Sequence, residues 1–182
     1  CAVIVLETGM GRRLDATNVT VPVVSVLTPI AIDHAEWLGK TLAEVAGEKA
    51  GIIKPGVPVV SARQEPAAGD VITRVAAERL GELFSVEATG VVEQLALSRP
   101  HQRANAALAI RALQLAGLAP AEAYIAQGLR EVYWPGRFQI VEGGIVLDGA
   151  HNPHAVTHLV RNWRENFGPE QTLIIFGALA DK

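Results

Sequence analysis

Side chains able to do chemistry fall in bursts directly after apolar runs. Glu7 closes AVIVLE and opens TGMGRRLDATN; Asp33-His34 follows VVSVLT; Asp148-Gly149-Ala150-His151-Asn152-Pro153 follows IVL. Carboxylates are hard oxygen donors for divalent cations, imidazole moves protons or binds metal, and guanidinium neutralises phosphate. Plainer roles exist for each. Glu7 also fits a solvated strand end, Asp15 and Asp33 fit turn or helix-cap positions, and His34 alone fits a structural role.

Lys49, in LAEVAGEKAGIIKPG, raises a sharper question. At helical spacing Leu42, Val45, Ala46, Lys49 and Ile53 share one stripe, which puts an ammonium in line with apolar residues. Such a charge is rarely buried without a partner, and Glu44 and Glu48 stand i,i+4 from each other, where they repel. Snorkelling to the surface is the alternative. Asn105 likewise stands on the stripe of Leu108, Ala109, Ala112 and Leu113, as a helix-packing hydrogen bond or as a residue facing a ligand base.

These residues must be positioned by alternating elements. Strands are predicted over 2–7, 23–28, 57–61, 145–148 and 173–177. Helices are predicted over 41–53, 67–80, 101–117, 120–132 and 153–166, with a less regular stretch over 83–99. Strand and helix alternating in this way specify an α/β fold with a mostly parallel sheet, whose doubly covered strands read as continuous apolar runs. Ligands then bind beyond the carboxyl ends of the strands, where the polar bursts fall. WPGRFQIVEGG, with Pro and three Gly, reads as a linker.

The 182 residues suffice for one domain and part of another, and a net charge of −3 with 19% charged residues argues against nucleic-acid binding and disorder. The single cysteine excludes an internal disulfide framework and fits a reducing, cytoplasmic setting. The apolar runs fall short of the roughly 20 residues a membrane span needs. Cys1 at the start and Ala180-Asp181-Lys182 just after a strand-like run read as cut ends.

ETGMGRRLDATN, IAIDHAEWLG, EKAGIIKPG, HQRANAALAI, WPGR and LDGAHNP, in this order, resemble the folylpolyglutamate synthase/dihydrofolate synthase family of the Mur ligase superfamily. The resemblance implies an incomplete Mur-ligase central ATPase domain over 1–136, followed by the start of a Rossmann-like C-terminal ligase domain over 137–182. It implies an ATP-dependent ligase that activates a substrate carboxylate as an acyl phosphate and joins it to L-glutamate, with dihydropteroate or folate as acceptor and Mg2+ as cofactor. By the same resemblance Glu7 and His34 are metal ligands, and Lys49 is carbamoylated, its anionic oxygens approaching the metal. Asn105 lies near adenine, Arg137 near the phosphates, Asp148 near the ribose and His151 near the phosphate chain. Leu14, Asp15 and Ala16 contact the pterin. A monomer is implied.

Arg12 stands where the family usually has Gly, and Ala35 where it commonly has Thr. No G-x-x-x-x-G-K-[ST] loop occurs in the 182 residues, so the chain alone is expected not to turn over. Two alternatives are a Mur-type ligase acting on a cell-wall precursor and a non-catalytic nucleotide-binding module.

Overall fold

A computed structural model describes residues 3–9, 14–32, 35–87, 95–96, 100–118, 120–168 and 172–177. Contacts divide the chain into two compact units, Cys1–Arg130 and Glu131–Lys182.

The first unit is built on a parallel sheet of β1 (Ser25–Leu27), β2 (Val59–Ala62) and β3 (Leu83–Val86), in the order β1-β2-β3. Ser25 pairs with Val59, and Val59 with Leu83. All four residues of β2 are buried, as a central parallel strand covered on both faces must be. Alternation along β2 sends Val59 to one face, against α2 (Leu42–Ala50) and α3 (Pro66–Glu78), where Val45, Ala46, Ile53, Ala68, Ile72 and Ala76 form the main core. Val60 and Ala62 point to the other face, against Leu108 of α4 (Pro100–Leu115). The short α1 (Ala35–Leu38) precedes α2, and α5 (Glu122–Glu131) follows α4.

Helix α2 starts where its caps dictate. Thr41 Oγ1 accepts from Glu44 N at 3.3 Å, and Glu44 Oε2 accepts from the backbone N–H of Thr41 at 3.0 Å and of Lys40 at 2.7 Å, a reciprocal capping box. Gly39 makes room for it: φ is +116°, and a Cβ there would stand 2.4 Å from that of Glu44. The backbone donors of Thr41 and Lys40, with the Thr41 hydroxyl, hold the Glu44 carboxyl below the usual glutamate range. A depressed carboxyl stabilises the fold above its unfolded pKa and loses that contribution as pH falls through its folded value. Loss of the Thr41 N-cap in Thr41→Ala is expected to cost about 1 kcal/mol. A Glu44→Gln variant should lose less stability than the parent on acidification, which thermal melts at stepped pH will read.

In the second unit β4 (Arg137–Val141) and β5 (Ile145–Asp148) form an antiparallel hairpin, followed by α6 (Pro153–Asn166). The hairpin turns through Gly143 and Gly144, at φ of +81° and +75°. Its covered face carries Phe138, which meets Trp163 edge-on at 6.2 Å and Phe167 at 6.1 Å.

The sequence reading needs four corrections. Residues 83–86, read as part of a less regular stretch, are strand β3, paired in parallel with β2. WPGRFQIVEGG is not a bare linker, because residues 137–141 are strand β4; its glycines serve the turn rather than flexibility. Residues 3–6 and 172–176 carry strand-like side chains yet form no ladder among the described residues, and Ile4 and Ile175 are 74% and 93% exposed. A strand exists only through pairing, so composition without a neighbour leaves extended chain. Ala109 is exposed rather than on the covered stripe of α4, which runs through Ala107 and Leu108.

Candidate active site

In the first unit one carboxylate links Gly9 to the turn that begins at Ala16. Asp15 Oδ2 accepts from Gly9 N at 2.8 Å, while Oδ1 accepts from Thr17 N at 2.8 Å and Thr17 Oγ1 at 2.5 Å, capping a single 3-10 turn over Ala16–Val19. Asp15 thus plays the capping role open to it from the sequence. Leu14 is 85% exposed, Ala16 and Glu7 are exposed, and the Thr8 hydroxyl is buried with no partner among the described residues.

Lys49 occupies the last turn of α2 and is half-buried, flanked on its stripe by buried Val45, Ala46 and Ile53. Ser25 Oγ donates to Ile52 O at 3.2 Å, which sets the end of α2 beside the first residue of β1. Asp33 and His34 lie outside the described residues. Among those described, no three His, Cys, Asp or Glu side chains are grouped to hold a metal.

Gln64, just beyond β2, ties down the exit of β1 that leads to those two residues. Its amide oxygen accepts from Ile30 N at 2.9 Å, and its amide nitrogen donates to Thr28 O and to Ser61 Oγ, each at 3.1 Å. Sequence reasoning missed Gln64; the available signal was an amide two residues past a buried strand. On α4, Asn105 is half-buried and donates from Nδ2 to Gln102 Oε1 at 3.2 Å, one turn earlier.

In the second unit Arg137, Asp148 and His151 come together at one end of the hairpin. Arg137 and Asp148 are register partners. Between Arg137 and Gln139 the ladder is bulged at Phe138, whose φ of +54° is uncommon for a bulky residue. Asp148 Oδ2 accepts from Phe138 N at 2.8 Å and Oδ1 from Ala150 N at 2.9 Å, so one carboxylate fixes both the bulge and the loop leaving β5. His151 Nδ1 lies 2.8 Å from Gly149 O; a carbonyl only accepts, so Nδ1 carries the proton in this contact. Asn152 caps α6 through Oδ1 and Ala155 N at 2.8 Å. A cation, an exposed imidazole and a helix N-terminus at one strand end form an arrangement suited to phosphate oxygens.

Residues 136–182 match the family described as Mur ligase, glutamate ligase domain. A dihydrofolate synthase/folylpolyglutamate synthase of Bacillus subtilis is 36% identical over 98% of this chain and 48% of its own length. The Escherichia coli counterpart is 37% identical over 99% of the chain and 46% of its own. The chain is a homologue of the folylpolyglutamate/dihydrofolate synthases. It spans about half the length of these curated relatives. An E. coli FolC structure in complex with DHPP and ADP matches 96% of this chain and 46% of its own with a TM-score of 0.83 at 34% identity. A folylpolyglutamate synthase bound to AMPPCP and folate matches 89% and 47%, with a TM-score of 0.81 at 32% identity. The parallel-sheet α/β fold expected from the sequence is thus the fold of this homologous group. No described helix is long and apolar enough to cross a membrane.

Proposed function

We propose that the chain is the part of an ATP-dependent amide ligase that joins L-glutamate to dihydropteroate or to a folyl-(poly)glutamate. Homology at 36% and 37% identity to enzymes named for that activity is the observation that carries this reading. In the reaction the substrate carboxylate takes the γ-phosphoryl of ATP, giving an acyl phosphate and ADP. The glutamate amine then attacks the acyl carbon, the C–O bond to phosphate breaks, and phosphate leaves.

The proposed roles follow the chemistry of each group. Residues 1–136 belong to the ATP-binding domain and 137–182 to the ligase domain, in a cytoplasmic monomer. Arg137 neutralises phosphate oxygens, His151 stands at the phosphate chain, and Asp148 accepts from the ribose as well as fixing its own loop. The Asn105 amide offers adenine both a donor and an acceptor. Leu14, Asp15 and Ala16 form the pterin contact, where the carboxylate accepts from ring N–H groups.

Two of the proposed donors suit Mg2+, since Glu7 is an exposed carboxylate and a carbamate on Lys49 would add a second hard oxygen group; His34, an unusual ligand for so hard a cation, rests on the family resemblance alone. The ion would supply charge neutralisation between phosphate and carboxylate. Carbamoylation also resolves the sequence conflict at Lys49, since it replaces a half-buried ammonium by an oxygen ligand.

The complete gene product, offered dihydropteroate, tetrahydrofolate and a UDP-linked muramyl acid with ATP and L-glutamate, should release ADP with the pteroyl substrates only. ADP release with the muramyl acid would favour the cell-wall reading, and release with none the non-catalytic module. The 182-residue chain alone is expected to be inactive. Arg137→Ala in the complete gene product should raise the KM for ATP or lower kcat by about a hundred-fold, and unchanged kinetics would remove Arg137 from the site.

A further inference from the structure

The loop that carries Leu14, Asp15 and Ala16 has little apolar contact to hold it. Its 3-10 turn, Ala16–Val19, buries no residue, and Leu14 and Val19 are 85% and 86% exposed. Asp15 makes the loop stiff within itself, through Gly9 and Thr17, but those bonds do not fix it to the rest of the unit.

Two polar bonds from the next residues do. Asn18 Nδ2 donates to Gly51 O at 3.2 Å, and Lys54 Nζ donates to Asn18 O at 2.5 Å. Gly51 caps the C-terminus of α2, where the final carbonyls lack partners within the helix, so the Asn18 amide satisfies one of them. The Lys54 bond is charge-assisted and half-buried, which makes it the stronger of the two.

The anchor beneath these bonds is rigid. Ile53 is 2% exposed in the core, Ile52 O accepts from Ser25 Oγ, Val57 N donates to Lys54 O at 3.2 Å, and Gly56 N donates to Arg79 O at 2.8 Å. An exposed loop is therefore bolted to a fixed turn. The bolt joins two candidate sites: Asn18 follows Ala16 by two positions, and Gly51 follows Lys49 by two.

We propose that Lys54 is a positioning residue that, through Asn18, fixes the 14–18 loop against the end of α2 and so sets where a pteroyl substrate lies relative to Lys49. The proposal rests on the ligase reading for the identity of that substrate. It predicts a selective effect, since the bolt touches the acceptor loop and none of the residues proposed for nucleotide.

Lys54→Met keeps the aliphatic stem and removes the donor, and Lys54→Arg keeps a donor. In the 182-residue chain, hydrogen exchange at the Asn18 and Thr20 amides should rise about ten-fold in Lys54→Met, with exchange in α3 unchanged and Lys54→Arg close to the parent. In the complete gene product Lys54→Met should raise the KM for dihydropteroate or folate about ten-fold and leave the KM for ATP unaltered, with Lys54→Arg restoring it. Unchanged exchange in the loop, or KM values for ATP and pteroyl substrate that move together, would overturn the proposal. The exchange arm needs no activity, so a parent enzyme without ligase activity would refute the ligase reading while the exchange result still decides whether the bolt exists.

Discussion

Lys49→Met in the complete gene product should lose about a thousand-fold or more in kcat, the scale of removing a charged group from a phosphoryl-transfer site, and should melt at or above the parent temperature. The two effects have one cause. Lys49 stands half-buried on the stripe of Val45, Ala46 and Ile53, where methionine preserves volume and removes a polar group that is costly to desolvate. On the proposed reading that cost is accepted for chemistry, as a carbamate whose oxygens would serve the metal. Intact-protein and peptide mass spectrometry of the parent should find one added CO2 on Lys49, absent from the variant. An unmodified Lys49 together with an active Lys49→Met enzyme would show the side chain to be a snorkelling lysine.

Asp148→Ala should destabilise the second unit by about 2–4 kcal/mol, because each backbone donor left without its partner costs about 1–3 kcal/mol. The orphaned groups would be the N–H of Phe138 and of Ala150. Phe138 also sits at a φ of +54°, a conformation that persists only where its surroundings impose it. Releasing it should loosen the packing of Phe138 on Trp163 and Phe167, visible as a change in near-ultraviolet circular dichroism and a lower denaturant midpoint. Asp148→Asn retains one acceptor oxygen and should fall between parent and alanine. Unchanged stability with a raised KM for ATP would make Asp148 a ribose ligand alone, with no part in holding the bulge.

Much of this was legible in the sequence wherever a pattern is local. Helices α2, α3, α4, α5 and α6 fall within a few residues of their expected spans because apolar period and caps are written in adjacent residues, as in Thr41 to Glu44 and Asn152 to Ala155. The buried β2 was legible as VPVVS. What was not legible depends on partners far along the chain. Composition could not tell that residues 137–141 pair with 145–148, or that residues 3–6 would form no ladder among the described residues, since pairing belongs to two segments and not to one. Site residues show the same division. The polar bursts marked Asp15 and Asp148, and a cap role for Asp15 was open from the sequence, but nothing local showed that Asp148 spends its oxygens on backbone N–H groups of the bulge and of its own loop. Gln64 and Lys54 escaped notice for the same reason, as their partners lie 34 to 36 positions away.

The claim on which the rest depends is that a substrate carboxylate passes through an acyl phosphate before glutamate displaces phosphate. It is tested most directly by following a heavy-oxygen label placed in the carboxylate of dihydropteroate or folate during turnover by the complete gene product. The account predicts that each amide bond formed sends one labelled oxygen into inorganic phosphate, and that the transfer requires both ATP and the pteroyl substrate. Amide formation with unlabelled phosphate, or phosphate release that ignores the pteroyl substrate, would contradict it.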